Sequence, residues 1–306
     1  FRDNSEIREH AFEMYSEKAF TNLSPIFVGY KELCAGAGSY SAVIVGSDQL
    51  WSPAGLPTNY FNLMFVPDCI RKISVASSFG VNQIPWYQTS RTKEYLKRID
   101  FLSVRENRGA EIVKELTGRN VPVVADPVFL LSEDDWERLI PKKNIYNEPY
   151  VFAYFLGNNE EYRVVVKKFA AENGLKIVTF RHVDQFNDFE ESFGDYAPYD
   201  ADPGDFLNIL RGAKFVFTDS LHGTIFSVIH KKNFVIFDRY SDSSKVSKNS
   251  RIDSLCDNLD IKSKRYKGDL EKNLYSELDY EVINKNISVI VENIKNFLDT
   301  ALSGIK

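Results

Sequence analysis

The sequence is poor in several things that would each point to a function class. It has three cysteines and four histidines among 306 residues. Cys34, Cys69 and Cys256 are odd in number and far apart, so neither a disulfide framework nor a zinc spacing is visible, as expected in a reducing compartment. His10, His182, His222 and His230 are dispersed and no acidic pair shows ligand spacing, so no metal site is expected. There is no excess of positive charge: the net charge is −5, and nucleic acid is excluded as the expected partner. No apolar run approaches the roughly 18 residues that would span a bilayer, and no signal peptide is visible. The expected location is the cytoplasm, with the inner face of the membrane as the alternative place. The chain opens on Phe1 rather than Met, and an N-terminal segment is expected to be missing.

What is present is an alternation of short buried strands and helices. SAVIVG (41–46), KISVAS (72–77), FLSV (101–104) and VPVVA (121–125) read as strands, with helices expected over 5–20, 85–97 and 107–116. The polar stretch 132–149 reads as a hinge. A second alternation begins with YVFAYFL (150–156), continues through a helix over 159–173 and a strand over 176–180, and passes an acidic loop to a helix over 206–210. Residues 214–237 then read as strand, polar turn, amphipathic helix and strand, the crossover unit of a parallel sheet. Residues 238–250 read as a polar loop, followed by a helix over 252–258. Ile283, Ile287, Ile290, Ile294, Phe297 and Ala301 recur at gaps of four and three, one face of a helix. The fold class is α/β, with two Rossmann-like domains facing across a cleft. The domains are expected at 1–140 and 141–278, with 279–306 a helix packed across their junction.

In parallel sheets ligands bind beyond the carboxyl ends of the strands, where helix N-termini offer N–H groups. The candidates at such ends are Ser47, Asp48 and Gln49, Arg105 with Glu106, Asp126, Arg181 with His182, and the cluster Ser220, His222, Gly223 and Thr224. Ser220, Gly223 and Thr224 put two hydroxyls and a close-approach backbone at one helix start, the makings of a phosphate cradle. Arg105 can grip a carboxylate or phosphate with two parallel bonds, or pair with Glu106 or another acid. Asp126 reads as a structural turn acid and His182 as a surface residue. His230, late on its helix beside Lys231 and Lys232, is expected to serve the helix C-terminus. Arg239, Lys245, Lys248 and Arg251 make the loop 238–251 basic, and Arg251 is kept as a binding candidate. Trp51, Tyr60 and Phe61 either stack on a sugar or belong to the core.

Five stretches, in order, resemble the polysaccharide pyruvyl transferases: AVIVGSDQLW (42–51), KISVASSFG (72–80), SVREN (103–107), VVADPVFLL (123–131) and TDSLHGTIFSVI (218–229). The resemblance implies a GT-B-like fold. It implies transfer of the pyruvyl group of phosphoenolpyruvate to saccharide hydroxyls as a ketal in surface polysaccharide assembly, with no cofactor beyond the donor. The implied partners are phosphoenolpyruvate and a free or carrier-linked saccharide. His222 is the implied general acid. A helix N-terminus disfavours imidazolium, and a bound phosphate dianion would reverse that preference. Two departures stand out: nothing matches the family's opening strand and Asn-Gly loop, so the first strand–helix unit is expected to be missing, and Ser220 stands where some members carry Arg. The alternatives are a GT-B-type glycosyltransferase using a nucleotide-sugar, with Asp238 or Glu190 holding the ribose, and a non-catalytic saccharide-binding homologue.

Overall fold

The computed structural model describes residues 2–54, 59–183, 187–239 and 250–305. Its first sheet holds β1 (Ala42–Val45), β2 (Arg71–Ser77) and β3 (Phe101–Val104), parallel and in that order. The expected fourth strand over 121–125 reduces to a single bridge, Val123 to Val104. Pro122 has no N–H to donate there, and its carbonyl accepts from the Val104 N–H at 3.2 Å. β2 carries a register irregularity between Ser74 and Ser77, where Ala76 takes φ 55° and donates its N–H to Ser103 Oγ at 3.0 Å. Such a bulge re-aims the side chains that follow it.

The second sheet holds β4 (Tyr150–Tyr154), β5 (Lys176–Thr179), β6 (Phe215–Thr218) and β7 (Phe234–Ile236), all parallel in the order β5-β4-β6-β7. Its core is aromatic: Phe155, Phe169, Phe193, Phe215, Phe217 and Phe237 form one buried cluster. The strands are near-continuous apolar runs because helices cover both faces of a parallel sheet.

The chain divides into two compact units, and the division differs from the expected domain spans. The second sheet's unit takes the residues up to Ser24 together with Leu131–Arg239 and Ile261–Leu278. The first sheet's unit takes Pro25–Leu130, the segment ending at Asp260 and the chain from Asp279 onward. Two sets of contacts account for this. The N-terminal helix Arg2–Ala19 is tied to the second sheet's loops by Arg8, which donates to the carbonyls of Arg181 (3.0 Å) and Pro198 (3.2 Å). The C-terminal helix Tyr280–Leu302 buries Ile283, Ile290, Ile294 and Ala301, and Ala301 joins Ile73 and Val75 of β2 in one cluster. Arg71 then closes that helix by donating to the carbonyls of Ala301 (2.9 Å) and Ser303 (2.7 Å), a cation at a helix C-terminus. The stretch read as a hinge contains a helix, Glu133–Leu139, started by a capping box between Ser132 and Asp135.

The end of the helix Leu221–Ile229 departs from expectation in charge. His230 is its C-cap and is buried, accepting at Nε2 from Arg211 Nε at 3.4 Å. Burial, with Arg211, Lys142 and Lys232 nearby, pushes the imidazole down to about 4, against a small opposing pull from Glu137. It therefore packs neutral rather than as a cation. Because the unfolded chain takes up this proton first, stability falls as pH drops from about 6.5 towards about 4. Urea titrations should show about 2 kcal/mol lost through this residue between pH 7 and pH 5, and a shallower loss in His230→Phe. Equal slopes in the two proteins would contradict the assignment.

Candidate active site

The site in the second sheet's unit is built where β4 and β6 end. Thr218 closes β6 and donates its hydroxyl to the Tyr154 carbonyl of β4 at 2.7 Å, while accepting from the Ser220 N–H at 3.0 Å. Asp219, buried, accepts from the N–H groups of Leu156 (2.7 Å) and Gly157 (2.8 Å), which follow β4. Arg239 donates to the Asp219 carbonyl at 3.2 Å and lies 3.4 Å from its carboxylate. Gly157 is required here, because a Cβ would stand 2.8 Å from both Asp219 Oδ2 and the Arg239 side chain.

Ser220 is the N-cap of the helix Leu221–Ile229, accepting from the Gly223 N–H at 3.3 Å. Thr224 is fully buried and donates back to the Ser220 carbonyl at 2.9 Å. Gly223 rests on β6: a Cβ would meet Thr218 Oγ1 at 2.6 Å. The three residues expected to form a phosphate cradle thus seat the helix against the strand end, with their hydroxyls turned inward. His222, in the first turn and half-buried, lines a cavity of about 480 Å³.

The cavity floor is aromatic: Tyr154, Phe155, Phe180 and Phe206 line it. Arg8 and Phe12 of the N-terminal helix form another side, one turn apart on a single helix face. Arg181 and His182, at the exit of β5, form a third. His182 is not the surface residue expected from the sequence. Its Nδ1 donates to Glu190 Oε1 at 2.7 Å and its Nε2 lies 3.3 Å from the Leu156 carbonyl. Both partners are acceptors, so the arrangement suits imidazolium. Glu190 is buried and also holds Arg163 at 2.8 Å. Burial alone would raise the Glu190 carboxyl, but the bonds from His182 and the charges of His182 and Arg163 outweigh it and hold the group below its usual range. Glu190 is therefore unavailable to a ribose. Asp238 is likewise paired, with Arg265 and with Lys267 at 3.7 Å.

In the first sheet's unit, the ends of β1, β2 and β3 bring Ser47, Asp48, Arg105, Asp126 and Arg251 together. Arg105 is buried, at 6% exposure, and both ends of its fork are occupied. Nη1 reaches Asp126 at 2.7 Å and Ser47 Oγ at 3.3 Å; Nη2 reaches Asp48 at 3.0 Å. Ser47 also donates to Asp126 at 2.9 Å, and Arg251 approaches Asp48 at 3.9 Å. Asp126 is a turn acid in addition, accepting from the Val128 N–H at 3.1 Å. Asp48 takes φ 84°, a strained conformation for a residue with a Cβ, which the paired carboxylate keeps in place. Gln49 packs on Gly80, where a Cβ would stand 2.9 Å from it. Glu106 turns away from Arg105's fork to accept from Ser78 Oγ at 2.9 Å, and burial pushes its carboxyl up. Trp51 is core, donating to the Phe61 carbonyl at 3.1 Å, whereas Tyr60 and Phe61 are exposed. Lys245 and Lys248 lie outside the described residues.

Arg8 and Tyr154 were missed in the sequence. An arginine four residues before a phenylalanine on an otherwise polar helix was the signal available, and it says nothing about which sheet the helix joins.

A family model for polysaccharide pyruvyl transferase matches residues 2–241. Curated protein sequences gave no match. Among solved structures the chain is similar to Staphylococcus aureus MnaA with UDP, at 12% identity and a TM-score of 0.50, over 92% of this chain and 81% of that one. A UDP-GlcNAc 2-epimerase of Methanocaldococcus jannaschii aligns at 12% identity and a TM-score of 0.48, over 93% and 88%. The first likeness, with the two parallel sheets, gives a GT-B-like fold of two Rossmann-like sheets.

A buried ion pair that loses one partner leaves an uncompensated charge, at a cost of about 3–5 kcal/mol. Because Asp48 stays beside Arg105 at 3.0 Å, urea unfolding of Asp126→Asn should show a clear loss that is smaller than this full cost. Arg105→Met should also destabilise, and the double variant should lose clearly less than the sum of the two. An Arg105 devoted to ligand alone would leave stability within about 0.5 kcal/mol.

Proposed function

The chain belongs to the polysaccharide pyruvyl transferase family, and we propose that it transfers the pyruvyl group of phosphoenolpyruvate to a saccharide as a ketal, releasing inorganic phosphate. In the balanced reaction one sugar oxygen bonds to C2 of the donor as its O–H bond breaks, while the acid delivers a proton to C3, turning the methylene into a methyl group; the attacking hydroxyl's proton replaces the one the acid gave up. A second sugar oxygen then bonds to C2 as the bond to the phosphate oxygen breaks, and that hydroxyl's proton leaves with phosphate. His222 is the proton donor to C3. The observation that carries this reading is the family match across residues 2–241, with His222 on the wall of a cavity large enough for donor and sugar.

Three features support the chemistry. The Ser220 cap and the Gly223–Thr218 contact fix the first helical turn, so the imidazole has a defined origin. The helix start offers its N–H end to an anionic donor in the cavity. Tyr154, Phe180 and Phe206 offer apolar surface to a sugar ring or to the donor's methylene. Among the described residues no helix is long and apolar enough to cross a membrane. Phosphoenolpyruvate is a cytoplasmic metabolite, so the reaction belongs on that side of the membrane.

General acid catalysis contributes about 10²–10⁴-fold, so His222→Gln should lower turnover by that factor with donor affinity retained. The assay is phosphate release that requires both phosphoenolpyruvate and saccharide. Consumption of a nucleotide-sugar, with no phosphate released from phosphoenolpyruvate across a broad acceptor set, would sink the reading.

A further inference from the structure

We propose that Arg8, from the N-terminal helix, is the cation that receives the anionic group of the substrate in the His222 cavity. This rests on the reading of that cavity as the substrate site, and it goes beyond that reading by naming the residue and the ligand chemistry: a small carboxylate or phosphate on a carbon body.

Position 220, one turn edge from His222, is a serine whose hydroxyl caps the helix, so it brings no charge. Arg105 is closed by Asp126 and Asp48. Arg239 is held at Asp219. A cation for an anionic ligand in the cavity has to come from its own walls.

Arg8 meets that need by geometry and by charge. It lines the same cavity as His222. Its guanidinium is fixed by two carbonyls, Arg181 O at 3.0 Å and Pro198 O at 3.2 Å, and lies 5.7 Å from the centre of the Phe180 ring and 5.6 Å from that of Tyr199. Both hydrogen-bond partners are neutral, and among the described residues no carboxylate forms an ion pair with it. The other ionised groups around the cavity are spoken for. Asp202 accepts from the Asp205 N–H at 2.8 Å as a helix cap. Arg181 is paired with Glu191 at 3.1 Å, and His182 and Arg163 share Glu190. Burial works against the charged form of Arg8, yet an arginine stays protonated in proteins. The result is a half-buried, uncompensated positive charge.

A guanidinium has five N–H donors, and two carbonyls leave three for a ligand in a preset plane. A carboxylate or phosphate matches that fork, and the bond would be charge-assisted. The neighbouring Phe180 ring suits the carbon body of such an anion.

The test uses the full chain with phosphoenolpyruvate, inorganic phosphate and pyruvate as probes. Arginine modification by phenylglyoxal, mapped by mass spectrometry, needs no variant: phosphoenolpyruvate should slow modification of Arg8 several-fold. Protection by phosphate assigns the phosphoryl group to Arg8, and protection by pyruvate assigns the carboxylate. Calorimetry should show phosphoenolpyruvate bound about 10- to 100-fold more weakly by Arg8→Gln, as expected for a hydrogen bond to a charged group. Arg8→Lys, which keeps the charge and loses the fork, should fall between. An Arg8 modified at the same rate with and without every probe would overturn the inference, as would unchanged affinity in folded Arg8→Gln. Should Arg8→Gln fail to fold, the protection experiment on the unaltered chain decides alone. Protection of Arg8 without phosphate release from any acceptor would keep this inference and remove pyruvyl transfer; release at the unaltered rate in Arg8→Gln would do the reverse.

Discussion

The carboxylate of Asp219 holds the site together. Two of its bonds reach the N–H groups immediately after β4, and its own residue immediately follows β6. One buried side chain thus fixes the exits of two neighbouring strands relative to each other. The Leu156 carbonyl beyond β4 meets His182, and the helix beyond β6 carries His222. Both imidazoles therefore take their positions from the same anchor. The charge left on Asp219 is answered locally by Arg239 rather than by anything in the cavity, which keeps the structural anion separate from whatever the cavity binds.

The two units treat positive charge in opposite ways. In the first sheet's unit, Arg105 and Arg251 face Asp48 and Asp126, and Glu106 beside them is pushed towards its neutral form by burial. That cluster is closed: a ligand would have to displace a bond already made. In the second sheet's unit Arg8, which lines the same cavity as His222, is held among the described residues by two carbonyls. Carbonyls orient a guanidinium without cancelling its charge, so orientation and electrostatic availability are supplied together there.

The alternation of strands and helices was legible because strands of a parallel sheet tend to be short apolar runs, and β1 to β7 each overlap such a run. The failures have local causes. Residues 121–125 have the composition of a strand, but Pro122 removes the donor that a ladder needs. Residues 133–139 looked like a polar hinge because their helix is short and its capping box reads as loop chemistry. Of the candidate site, the strand-end positions were readable from the periodicity, whereas their partners were not. Arg105 could equally have been an open grip or a closed pair, and only the approach of Asp48 and Asp126 decides. Arg8 was invisible for a different reason: it acts more than 170 residues away from Arg181, whose carbonyl it holds, and no local pattern carries that information.

Gly157 and Gly223 bring out one more property of the site. At the first, the backbone touches Asp219 and Arg239; at the second, it touches the last residue of β6. Neither glycine has positive φ, so neither is there for conformational freedom. They are places where the scaffold is filled to the last methyl group. The tolerance of the site to change is therefore steric before it is chemical. A saturation survey would find its sharpest intolerance at two residues that have no functional group at all, and single-atom additions there would move the histidine more than many substitutions among the cavity's polar residues.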